Sequence, residues 1–167
     1  MVKKKFLLLL LILGLISASC GQVNQTQAST FGGEQALSLA EKAFHTQVSL
    51  SEKPQSKQKV VDSLTQYFTK EMTNSFIKEN VYQVDGGYQT FGSDFASYYI
   101  PFFQYDESTH VKKADGKWYI WEERSGDEKG PVATVPGVEV VVLSEEEGTW
   151  KVTSITYELP ENIQSGE

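Results

Sequence analysis

Side chains suited to metal binding and nucleophilic catalysis are scarce in this sequence. Its 167 residues hold one cysteine and two histidines. One cysteine excludes an internal disulfide and any zinc site built on paired thiolates. His45 and His110 are far apart and fall in no metal-ligand spacing. His45 lies inside a helical pattern and reads as a helix-edge residue. His110 opens a predicted hairpin and reads as a half-exposed strand start. Ser93, in FGSDF, lacks the G-x-S-x-G elbow that exposes a hydrolase serine. The acidic stretches RSGDEKG and Glu145-Glu146-Glu147 lack the alternating oxygen ligands of a calcium loop and read as solvated turns. No metal or cofactor is expected.

Positive charge is also in short supply. Fifteen Lys and Arg face 22 Asp and Glu, a net charge of −7. Such a surface repels phosphate backbones and anionic head groups. That argues against nucleic acid as a partner and against a peripheral docking patch for anionic lipid.

One long apolar run is present, FLLLLLILGLISAS, and it follows MVKKK at the start of the chain. A basic stretch, a short apolar core and a small-residue exit make a secretory signal, and the core is too short for a comfortable membrane span. The only cysteine stands at its end, in LISASCGQ. This resembles a bacterial lipobox, although Ser17 occupies a position where leucine is commoner. Residues 1–19 then form a lipoprotein signal peptide, cleaved between Ser19 and Cys20. The Cys20 thiol carries the acyl chains that hold the protein on the outer face of the cell membrane. The leader holds three lysines and no acid, so without it the charge falls from −7 to −10. GQVNQTQASTFGG is polar, uncharged and without periodicity, so residues 20–33 are expected to form the acylated cysteine and a flexible tether.

The rest is enough for a single core. In EQALSLAEKAFHTQVSLS, the positions Leu37, Ala40, Phe44 and Val48 predict one apolar helix stripe. Pro54 breaks the pattern, and Ser56 can cap a second helix with Val60, Leu64 and Phe68 on one face. Thr69 can cap a third, carrying Met72, Phe76 and Ile77, unless the two are one bent helix. Gly86, Gly87 and Gly92 mark turns. A short helical turn over residues 94–99 and an extended piece through Pro101 are expected next. STHVKKADGKWYIWEERS reads as a hairpin about Asp115-Gly116. Val138 to Leu143 reads as a strand, which EEEG turns into TWKVTSITYEL. The tail, residues 161–167, is polar and expected to fray.

Helices first and antiparallel strands afterwards define an α+β domain over residues 34–160, with two or three helices packed on one face of a curved sheet. The order resembles the nuclear-transport-factor-2-like cone and also cystatin-like folds. The stretches VSLSEKPQSKQKVVDSLTQYFT and FIKENVYQVDGGYQTFGSDFASYYIPFFQYD resemble an uncharacterised family of lipoproteins from Gram-positive bacilli, the domain of unknown function 3993. The resemblance implies a lipid-anchored extracytoplasmic domain and transfers no catalytic residues.

What is abundant is aromatic side chains. They crowd YYIPFFQY, residues 98 to 105, with Tyr88, Phe91 and Phe95 before and Trp118, Tyr119 and Trp121 after. One reading is core, because aromatics carry large buried area. The other is core plus a surface for a small ligand or protein partner, with Phe95, Tyr98, Tyr99, Phe102, Phe103, Trp121 and Asp94 as its candidate residues. Asp94, Asp106, Glu122 and Glu123 also suggest an enzyme with an interior carboxylate, above all Asp94, although Asp94 equally suits a helix cap. A structural or assembly factor of the cell envelope is a third possibility. The leading expectation is a lipid-anchored, non-enzymatic binding protein.

Overall fold

The computed structural model describes residues 31–92, 96–126 and 136–164, all within one compact unit, Phe31–Glu167. The signal, Cys20 and most of the expected tether lie outside the described residues. So do Ser93, Asp94, Phe95, Asp127 and Glu128.

Among the described residues three helices come first: α1 (Gly33–Ser49), α2 (Lys57–Thr65) and α3 (Lys70–Asn80). α2 and α3 are separate, and their caps explain why. The Ser56 hydroxyl accepts from the Lys59 amide at 3.3 Å, and the Thr69 hydroxyl from the Met72 amide at 3.3 Å. Each oxygen satisfies one of the amides that a helix start leaves without a partner. Val60, Leu64, Phe68, Met72 and Phe76 are buried, and Ile77 is half-buried.

α1 departs from the expected stripe. Its buried residues are Ala36, Ala40, Ala43 and Gln47, while Leu37 and Phe44 flank the core and Val48 is 39% exposed. The helix turns its small side chains inward, so its backbone comes close to the sheet. A β-carbon on Gly33 would stand 3.6 Å from the Trp118 ring.

A two-stranded hairpin follows, β1 (Tyr82–Val84) with β2 (Gly87–Gln89). Then comes the main sheet, an antiparallel meander of β3 (His110–Ala114), β4 (Lys117–Arg124), β5 (Gly137–Glu146) and β6 (Thr149–Thr156). The fold class is α+β. The turns at Asp115-Gly116 and Glu147-Gly148 place all four residues at positive φ. The outer edge of β6 is not left open. The Val152 amide donates to the Tyr67 carbonyl at 2.8 Å, and the Thr69 amide to the Val152 carbonyl at 3.0 Å. The Lys151 ammonium donates to the Thr65 and Gln66 carbonyls at the end of α2, where a cation suits the helix dipole.

Alternation along the strands makes two apolar layers. Ile120, Val141, Leu143 and Val152, with Trp118 half-buried beside them, join the helices. Tyr119, Val140 and Val142 face the other way, with Trp121 against them. A bulge between Val142 and Leu143 shifts the β6 register, so that Val152 and Ile155 reach the same layer.

Both ends of the expected domain extend further than its sequence pattern suggests. Phe31, placed in the tether by its polar neighbours, stacks on Trp150 at 5.0 Å. The tail holds a short helix, α4 (Glu161–Gln164), instead of fraying through residue 164. Its Ile163 is buried against the second layer, and the Asn162 amide donates to Asp115 at 2.6 Å. Burying one isoleucine is worth about 1.5–3 kcal/mol, enough to dock a single turn.

Candidate functional site

The segment between the hairpin and the main sheet has little secondary structure of its own. Ala96 to Thr109 contains turns, including one at Ser97–Tyr98, and no helix or strand. Three side chains from other elements hold it. Gln47, fully buried in α1, donates from Nε2 to the Tyr98 carbonyl at 2.7 Å and accepts at Oε1 from the Ile100 amide at 2.9 Å. Asn80, at the end of α3, donates from Nδ2 to the Ser97 carbonyl at 2.8 Å and the Phe76 carbonyl at 3.2 Å. Glu122, on β4, accepts from the Gln104 amide at 2.7 Å and from the Thr109 hydroxyl.

Beside the Asn80 clamp is a pocket of about 420 Å³ lined by Glu79, Asn80, Tyr82, Phe91, Gly92, Ala96, Ser97 and Tyr99. Its aromatic wall comes from three places. Tyr82 begins β1, and its phenol donates to the Glu79 carbonyl at 3.3 Å. Phe91 follows β2 and leans on Tyr82 with ring centroids 5.6 Å apart. Tyr99 is half-buried and set edge-on to Phe76 at 4.9 Å. Burial pushes the Tyr99 phenol above its ordinary value, so it is neutral at physiological pH. Tyr82 is 53% exposed and Phe91 66%. A second hollow of about 480 Å³ lies along α1 beside Phe31, Leu39 and Tyr67, with Glu34 and Lys42 at its rim.

The candidate residues from the sequence do not share one site. Tyr99 lines the pocket. Phe103 is buried in the main core. Phe102 is 65% exposed and rests edge-on against Phe44 at 5.0 Å. Tyr98 is exposed, with its backbone in the left-handed region at φ 68°. Trp121 is on the opposite side of the sheet, stacked on His110 at 5.2 Å. Asp94 and Phe95 lie outside the described residues.

Of the acids singled out in the sequence, Glu122 and Asp106 accept hydrogen bonds in the connector. Glu122 is a clamp. Asp106 accepts from the Ser108 hydroxyl at 2.6 Å and amide at 2.8 Å, which hold its carboxyl below the usual range. Glu123 points to the opposite face from Glu122 and is exposed. Among the described residues no group of three or more His, Cys, Asp or Glu is placed to hold a metal ion.

Glu79, Asn80 and Tyr82 were not among the sequence candidates, and Phe91 counted only as part of the aromatic excess. The available signal was the ENVY stretch at a helix end, followed by turn glycines and a lone phenylalanine.

The class defined by this geometry is an α+β domain with an open, aromatic-walled pocket beside a clamped connector. Residues 32–124, more than half of the chain, match the family described as Protein of unknown function (DUF3993), and the chain belongs to that family. The match includes every pocket residue. No curated protein and no solved structure matches the chain.

Proposed function

We propose that this protein is a lipid-anchored binding protein on the outer face of the cell membrane, of the kind found in Gram-positive bacilli. It takes up a small ligand in the Tyr82–Phe91–Tyr99 pocket. The lipobox at Cys20 supports the anchor. The observation that carries the binding role is the pair of exposed rings, Tyr82 and Phe91, at the mouth of a hollow walled by Tyr99. Large aromatic side chains left in water have a free-energy cost that a ligand would recover. The volume lies within the range of small-molecule sites.

Native mass spectrometry tests this on the full chain in detergent, mixed with cell extract and repurified. A reproducible adduct of defined mass is expected, and Phe91→Ala should abolish it without lowering the melting temperature, because Phe91 is mostly exposed. A bare chain from every extract overturns the proposal.

A further inference from the structure

We propose that the ligand of this pocket is a small organic cation with an alkylammonium head. This rests on the pocket being the binding site.

The first argument is charge. Glu79 supplies a carboxylate, and among the described residues no Lys, Arg or His lines the pocket. Lys78 approaches Glu79 at 3.4 Å, but its side chain is 82% exposed, so solvent screens it. The second argument is the helix. Glu79 and Asn80 are the last residues of α3, where the dipole is negative and carbonyls outnumber donors.

The third argument is the direction of the hydrogen bonds. Asn80 has two amide hydrogens, and both are committed to backbone carbonyls, so what it has left is an acceptor. Tyr82 spends its hydroxyl hydrogen on the Glu79 carbonyl, and its oxygen too is left as an acceptor. An anion would meet the Glu79 carboxylate and, at Asn80 and Tyr82, donors already spent. A cation meets lone pairs and ring faces. Three rings beside one carboxylate suit an ammonium whose alkyl groups need apolar walls. The net charge of −7 further favours cations near the surface.

The test uses the full chain in detergent and two probes, choline and its uncharged carbon isostere, in which tert-butyl replaces trimethylammonium. Calorimetric titration should show choline binding about tenfold or more tighter than the isostere. Phe91→Leu keeps an apolar side chain but removes the ring. It should weaken choline several-fold and leave the isostere nearly unchanged, and Glu79→Gln should act in the same direction with an unchanged melting temperature. Equal affinity for the two probes, or indifference to both substitutions, overturns the cation assignment. The pocket reading then survives if the extract-derived adduct still depends on Phe91. Failure of both probes at millimolar concentration also overturns the assignment, and the pocket reading falls with it only if the extract adduct is absent as well.

Discussion

Gln47 is a polar side chain with no exposed surface, and its amide does the work of a missing strand. It bonds the carbonyl of Tyr98 and the amide of Ile100 as a neighbouring backbone would. That holds Tyr98 in the left-handed region, which costs a non-glycine residue about 1–2 kcal/mol. Gln47→Leu keeps the volume but leaves the buried Ile100 amide unpaired. We expect a loss of about 2–4 kcal/mol in urea unfolding. Tyr99 lies between the two clamped residues, so ligand uptake should fall as well. A change within error would mean that the connector holds itself. Tyr105 is the opposite case, because its hydroxyl is buried and has no hydrogen-bond partner among the described residues. Burial, reinforced by Glu41 and Glu122, pushes its phenol far above the ordinary 10.0. A folded-state value above the unfolded one gives stability that is complete below about pH 10 and lost as the pH rises beyond it. Tyr105→Phe should therefore keep or raise the melting temperature at neutral pH and weaken the alkaline loss. Some loss should persist, because Tyr99 is shifted in the same direction. A drop of several degrees at neutral pH would contradict this reading.

At the scale of elements, the β1–β2 hairpin depends on one close approach. The Gln55 amide donates to the Tyr88 carbonyl at 2.9 Å, and the Tyr88 amide returns the bond at 2.8 Å. Gly87 lies against this bridge at φ +146°, and a β-carbon there would stand 2.4 Å from the Gln55 carbonyl oxygen. Gly87→Ala should break the bridge and cost about 2–4 kcal/mol, measured by thermal melting. Gly86→Ala is expected to be milder, since its nearest contact is Pro54 at 3.8 Å. Equal effects would point to φ alone rather than to the clash. The sequence made the local devices legible: the Ser56 and Thr69 caps, the break at Pro54 and the turn at Asp115-Gly116. Each depends on neighbours within a few positions. The connector was not legible, because its partners Gln47 and Asn80 lie 51 and 17 residues away from Tyr98 and Ser97. Ile163 and Phe31 were missed for a related reason. A lone apolar residue in a polar stretch shows its purpose only when the surface that receives it is known. Of the aromatic excess, Phe91 and Tyr99 line the pocket. Which rings form the pocket was decided by the end of α3 and the hairpin, and spacing does not encode that.

At the scale of the molecule, charge and anchoring belong to one argument. No helix among the described residues is long and apolar enough to cross a membrane. Without the leader the charge would be −10, and an anionic bilayer repels such a surface. On the lipoprotein reading proposed above, a covalent lipid holds it at the membrane, and stable anchoring takes more than one acyl chain. Cys20 is the sole thiol that can receive them. The wild-type protein should therefore sediment with membranes. Its mass should show loss of residues 1–19 and addition of a lipid group. Cys20→Ser should either release the domain to the soluble fraction or leave the unprocessed precursor, and high salt should not restore membrane binding of a released domain, because screening weakens a repulsion without supplying an anchor. The released domain should still melt cooperatively, since Phe31–Glu167 forms a compact unit of its own. Unchanged sedimentation together with an unchanged mass would remove the lipid anchor and leave the pocket to be explained in a different compartment.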